Sequence, residues 1–296
     1  MSGIFHIGYH KTGSTFLQKY FFPRSNAKAY VSGEMVNRIT EPYVGDFDAQ
    51  EFRSQVLDQY GENFLLSSEN LIGDPLSGAC NGMTIQQHAA RIHEAFPDSS
   101  VVLFVREQVQ MIQSIYAQYV KYGGTYPLGR LLDECRNVAP FFCYEYYEYD
   151  RTIEILKKSF APNKVFVYDF REMRNDLPAF LHRLNDELDL QVTDFSNLDR
   201  QANVSMRKNT CRLVRALNLF TSKHMKIKNQ WIDIPYADRV IGRVRVAADR
   251  WMPLNPKIQD DDFWPRGKRE EVAQRYRSSN ERLRDQYGID LIEQVR

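Results

Sequence analysis

Cysteine is scarce in this chain of 296 residues: Cys80, Cys135, Cys143 and Cys211 are scattered, with no C-x-x-C pair and no histidine spaced to complete a zinc site. That pattern excludes a metal knuckle and a disulfide framework, and it predicts free thiols in a reducing compartment. Glycine (15) and proline (12) are not enriched, which excludes collagen-like and low-complexity classes. No internal period of roughly 20 to 50 residues marks a solenoid. Charge of one sign is also lacking. With 39 Lys plus Arg against 38 Asp plus Glu the formal net charge is +1, so no whole-molecule field grips nucleic acid, and any anion site must be local. No run reaches the roughly 18 apolar residues of a membrane span, and no basic segment followed by an apolar stretch marks a leader. The expectation is a cytoplasmic protein with neither a nucleic-acid partner nor a membrane span.

What is present is an ordinary globular composition, 43% hydrophobic and 26% charged, enough to bury a full core. Residues Gly3 to Gly8 (G-I-F-H-I-G) form a short apolar run ending at glycine, and Ser14 to Phe22 carry a helical pattern. Continuous apolar runs at Asn63–Ser67, Ser100–Val105 and Lys164–Tyr168 suit strands covered on both faces. Helices are predicted between them at Asp48–Tyr60, Thr84–Phe96, Glu107–Tyr122 and Tyr144–Phe160, long enough for right-handed crossovers. Beyond Asp169 helices dominate, at Leu177–Leu188, Arg207–Thr221, Tyr236–Ala248 and Lys268–Tyr287, with an irregular Pro- and Asp-rich connection from Trp251 to Pro265. The alternation predicts an α/β, three-layer sandwich with a central parallel sheet and extra helices in the C-terminal part. No linker divides it, so residues 1–296 read as one domain.

Between the first strand and the first helix lies G-Y-H-K-T-G-S-T, Gly8 to Thr15, where free backbone N–H groups and the helix dipole make an anion site. The mononucleotide P-loop has the form G-x-x-x-x-G-K-[ST]; here both glycines and the final hydroxyl stand, but Ser14 occupies the lysine position and the lysine is Lys11. Moving the cation predicts a different anion with fewer phosphates.

The segment Y-H-K-T-G-S-T-F resembles the 5′-phosphosulfate loop of sulfotransferases that use 3′-phosphoadenosine 5′-phosphosulfate (PAPS), whose form is roughly Y-P-K-[ST]-G-[ST]-T-W. The resemblance implies that Lys11 contacts the bridging oxygen and leaving phosphate, that Thr12, Gly13, Ser14 and Thr15 donate hydrogen bonds, and that Phe16 replaces the tryptophan stacked on adenine. His10 departs from the usual proline. A second segment follows the strand Ser100–Val105: Arg106 at its end and Ser114 eight residues on, within R-E-Q-V-Q-M-I-Q-S-I-Y, similar to the family's 3′-phosphate motif R-[DN]-P-x-x-x-x-x-S-x-Y. An arginine at a strand's carboxyl end can pair bidentately with phosphate, and eight residues make just over two helical turns, so both can face one ligand. Glu107 and Gln108 depart from the usual pair, and Glu107 suits a helix start.

Eight basic residues and no acid lie between Arg200 and Lys228. They form either a solvated helix face or a wall of the site, and the segment N-V-S-M-R-K from Asn203 is similar to a region where sulfotransferases add late donor contacts, which would make Arg207 a donor ligand. Transfer to an acceptor hydroxyl needs a base. Glu69, in S-S-E-N after a strand, is placed like the glutamate of carbohydrate sulfotransferases, and His10 beside Lys11 is the second candidate. The implied activity is metal-independent, in-line sulfuryl transfer from PAPS to a hydroxyl of a small molecule or glycan. The competing readings are a P-loop kinase using ATP and magnesium, with Asp169 after a strand as its metal ligand, and a nucleotide-binding protein without turnover. Tyrosines at 116–126 and 141–149 form either core or an aromatic acceptor platform.

Overall fold

A computed structural model describes residues 3–31, 33–43, 45–73, 75, 83–133, 142–198, 206–221 and 228–292. Cys80, Cys135, Phe141, Arg200, Asn203, Lys223 and Lys226 lie outside the described residues. Five strands form one sheet: β1 (Ile4–His6), β2 (Ala29–Val31), β3 (Phe64–Ser67), β4 (Ser100–Val105) and β5 (Val165–Asp169). Their order is β2-β3-β1-β4-β5 and every pair is parallel. The four strands expected from apolar runs are present. The fifth, β2, has only three residues and lies at the sheet edge, graded from exposed Ala29 to buried Val31, so it lacks the continuous apolar run of the other four.

The helices are α1 (Ser14–Phe16), α2 (Asn37–Thr40), α3 (Ala49–Tyr60), α4 (Met83–Ala95), α5 (Gln108–Lys121), α6 (Leu128–Asp133), α7 (Tyr149–Ser159), α8 (Phe170–Asn175), α9 (Leu177–Glu187), α10 (Lys208–Leu217), α11 (Ala237–Trp251) and α12 (Lys268–Tyr287). Two helical expectations are divided. The first helix changes after α1 into a π-turn segment, Leu17–Phe21, and Tyr144–Tyr147 form a 3₁₀ turn ahead of α7. Glu107 caps α5 by accepting from the Val109 and Gln110 amides, and Asp48 caps α3 through Gln50 and Glu51. Among the described residues no strand follows Asp169.

The period-two alternation of the strands builds the three layers. Phe5, Leu66, Val101, Leu103 and Val105 point into one core with α3, α4, α5, α7 and α12. Ile4, Leu65, Val102 and Phe104 point the other way, onto Phe16, Phe21, Phe22 and the apolar side of α9. The clustered tyrosines belong to the first core: Tyr116, Tyr119, Tyr147 and Tyr149 are buried, whereas Tyr122 is exposed. No helix among the described residues is long and apolar enough to cross a membrane.

Candidate active site

The strand order decides where the chemistry gathers. From β1 the chain crosses first to β2 and β3 on one side and later to β4 and β5 on the other, so the carboxyl end of β1 lies at the switch point, the usual crevice for a ligand in such sheets. Three adjacent strands then deliver one candidate residue each: Glu69 just past β3, Lys11 past β1 and Arg106 directly after β4. Neighbouring strands are about 4.8 Å apart, and the three residues line one cavity.

The loop after β1 is anchored before it turns. Tyr9 N still donates to Phe104 O at 3.3 Å, and the buried Tyr9 hydroxyl donates to the Tyr146 carbonyl at 2.8 Å. Lys11 takes a left-handed backbone, φ 66°, and Gly13 follows at φ 88°. A side chain at Gly13 would begin 3.1 Å from Met173 Cε and 3.2 Å from Phe170 Cε2, so the position requires glycine both for conformation and for space. Thr12 is fully buried, and its hydroxyl donates to the Tyr9 carbonyl, which holds the turn. Ser14 Oγ, by contrast, is buried with no hydrogen-bond partner among the described residues.

A cavity of about 320 Å³ opens on this loop. Lys11, Gly13, Ser14, Thr15 and Phe16 line it, together with His10, Glu69, Arg106 and Ser114. Arg106 Nη1 donates to Ser114 Oγ at 2.9 Å and to the Lys11 carbonyl at 3.2 Å, which ties the two anion motifs together. Its Nε is buried without a partner among the described residues, and its guanidinium lies over the Phe170 ring at 5.3 Å. Burial, with the Arg174 charge added, pushes the Arg106 pKa down to about 10. Burial, then the charges of Lys121 and Arg106, lowers that of Lys11, with Glu69 opposing. Cations held at such cost are stabilised when an anion enters.

Glu69 is half-buried, and its Oε2 accepts from Gln18 Nε2 at 3.0 Å. Gln18 also reaches Ser67 Oγ at 3.1 Å, which lies 2.6 Å from Nδ1 of the buried His6. Gln18 comes from the π-turn segment, a form often found at functional sites. Arg207 and Thr12 are not among the lining residues. The Arg207 guanidinium donates to the Asn255 carbonyl at 2.9 Å, while its neighbour Met206 faces the cavity.

Several lining residues escaped the sequence reading. Ala117, Gln118 and Lys121 continue from the expected Ser114, at i+3, i+4 and i+7 from it, along the stripe of α5 that the core leaves uncovered in a helix otherwise mostly buried. That polar stripe is legible in the sequence as a second wet face. Arg245 of α11 and Phe170 of α8 arrive from distant segments and carry no local signal.

The architecture matches a sulfotransferase from Alicyclobacillus acidocaldarius, with a TM-score of 0.52 at 15% identity over 69% of this chain and 87% of that one. The fold is the sulfotransferase fold. Mouse sulfotransferase SULT7A1 complexed with PAP is also similar, at a TM-score of 0.43 and 14% identity over 97% of this chain and 89% of that one. No family model and no curated protein matches the sequence.

Proposed function

We propose that the chain, as one domain over residues 1–296, transfers a sulfuryl group from PAPS to an acceptor hydroxyl, most simply that of a carbohydrate, in the cytoplasm. The observation that carries this reading is the convergence of Lys11, Arg106 and Ser114 on one cavity, with the buried Ser14 Oγ and Arg106 Nε left to a ligand. In this reading Arg106 and Ser114 hold the 3′-phosphate, and Lys11, Gly13, Ser14 and Thr15 hold the 5′-phosphosulfate, with Thr12 shaping the turn and Phe16 flanking the adenine. As the sulfur–oxygen bond to the leaving phosphate breaks, Lys11 stabilises the charge that develops there. The acceptor oxygen bonds to sulfur and its proton passes to Glu69, which Gln18 orients; His10 is the alternative base. The transfer in this reading is metal-independent, with Lys11 supplying the cationic charge at the leaving phosphate. Arg207 acts through the position of Met206 rather than on the donor.

The kinase reading needs a carboxylate for magnesium, and Asp169 is engaged elsewhere: it caps α8 through the Arg171 amide at 2.8 Å and pairs with Arg171 Nε at 2.7 Å. Calorimetric titration of adenosine 3′,5′-bisphosphate without magnesium, at fixed salt, tests the proposal. Micromolar binding that weakens at least tenfold in Arg106→Ala, about 1.4 kcal/mol, is the expected result. Magnesium-dependent ATP binding with none of the bisphosphate overturns it, and bisphosphate binding with no sulfuryl transfer to any hydroxyl acceptor leaves a binding protein.

A further inference from the structure

Away from the cavity, the segment from Trp231 to Leu254 keeps large apolar side chains in water. Trp231 is 70% exposed, Trp251 74% and Leu254 92%, and Ile232, Val240 and Val246 are each more than half exposed. Single exposed hydrophobics are ordinary, but eight of the eleven exposed large apolar side chains among the described residues fall between 231 and 254, a concentration that marks an interaction surface. The backbone around Trp231 is fixed: its amide donates to Leu219 O at 2.9 Å, and the Ile234 amide donates to Phe220 O at 3.1 Å. The side chains are therefore displayed by ordered chain.

The helix that follows is two-sided. At about 100° per residue, Ile241 and Ala248 share the buried side of α11, while Arg239, Arg243, Val246 and Arg250 fall within an arc of about 60° on the opposite side. Val240 and Trp251 lie together to one side of that arc, about 60–80° beyond its edge. Arginine and aromatic ring are paired on this surface, Arg239 over Tyr236 at 5.2 Å and Arg250 over Trp251 at 4.9 Å. The acids of α11 are turned aside, since Asp238 lines a neighbouring pocket and Asp249 accepts from the Arg207 amide at 2.9 Å. Asp233 is the one acid in the exposed loop ahead of the helix.

We propose that this face docks on an anionic phospholipid bilayer, with α11 lying in the interface and Trp231 and Trp251 entering the headgroup region. Apolar and aromatic side chains interleaved with arginine are what such an interface takes up, the rings at the apolar boundary and the guanidinium groups on lipid phosphate. A second copy of the chain fits less well, because a two-fold contact would set arginines against arginines. The surface is distinct from the cavity, so it does not depend on which reaction occurs there. It would hold a soluble domain beside acceptors presented at a membrane.

Vesicle flotation with the full chain tests this, using phosphatidylcholine vesicles and vesicles containing 30% phosphatidylglycerol (~0.3 mole fraction, a level that gives a strong surface potential). The expected result is binding to the anionic vesicles alone, weakened by salt, with a blue shift of tryptophan emission. Partitioning should fall at least tenfold in W231S/W251S and in R239Q/R243Q/R250Q, both of which keep the thermal melt and bisphosphate binding of the parent chain. Absence of binding to anionic vesicles, or equal binding by the variants, overturns the proposal. Self-association in solution that the tryptophan variant abolishes, without vesicle binding, assigns the face to a second copy instead.

Discussion

At the scale of single residues, the cavity is a set of cations with one carboxylate opposite them. Glu69 sits at the start of a 3₁₀ turn, Glu69–Ile72, whose cap is Ser68, and the Gln18 amide fixes one of its oxygens. Replacing Glu69 by Gln keeps the size of the side chain and an oxygen for Gln18, and removes the negative charge and with it the ability to take a proton. With the proposed base role, Glu69→Gln should lower kcat about 10²- to 10⁴-fold while bisphosphate affinity changes by less than about twofold. Initial rates of PAP release across a panel of hydroxyl acceptors, with calorimetry on the same variant, give both readings. A parallel loss of bisphosphate binding would show that Glu69 supports the loop rather than the reaction.

At the scale of elements, the decisive piece is the turn from β1 into α1. Two successive features place it: the ladder to β4 runs on to Tyr9, and the chain then enters the left-handed region at Lys11 and again at Gly13. A non-glycine residue at positive φ is costly and is often found where function demands it. Gly13→Ala adds the same strain at a second residue and presses a methyl group on Met173 and Phe170. The variant should lose about 1–3 kcal/mol of stability, read from denaturant melts, and most of its bisphosphate affinity. The motif string made this turn visible in the sequence, because glycine and lysine at those positions are a local requirement. The partner contacts that make it rigid, Met173 and Phe170 from α8, are more than 150 residues away and left no mark on the string.

At the scale of the whole molecule, a buried histidine in the central strand links the fold to pH. His6 is fully buried between the rings of Phe22 and Phe104, and burial lowers its pKa from 6.5 to about 4, with the Glu69 charge opposing. As pH falls below 6.5 the unfolded chain takes up a proton that the folded chain refuses, so stability falls with acidification. The loss runs from about pH 6.5 to about pH 4 and amounts to about 3 kcal/mol, with no contribution from this group above that window. Urea melts from pH 4 to pH 8 should show that slope in the parent chain and a flatter one in His6→Gln. An unchanged slope in the variant would assign the acid sensitivity to carboxylates.

The local requirements of the backbone and of phosphate binding are written in short stretches of chain, which is why the anion loop, the Arg106–Ser114 spacing and four of the five strands are legible as residues. Apolar runs covered on both faces, a glycine at positive φ and two polar groups two helical turns apart are properties of a few neighbours. The three-residue β2 is too short to carry such a signal. Strand order, the meeting of Glu69, Lys11 and Arg106 on adjacent strands, and the arrival of Gln18, Phe170 and Arg245 at the same cavity depend on crossovers and long-range packing. Folding sets these by the burial of distant faces against each other, a collective free energy that no single stretch encodes.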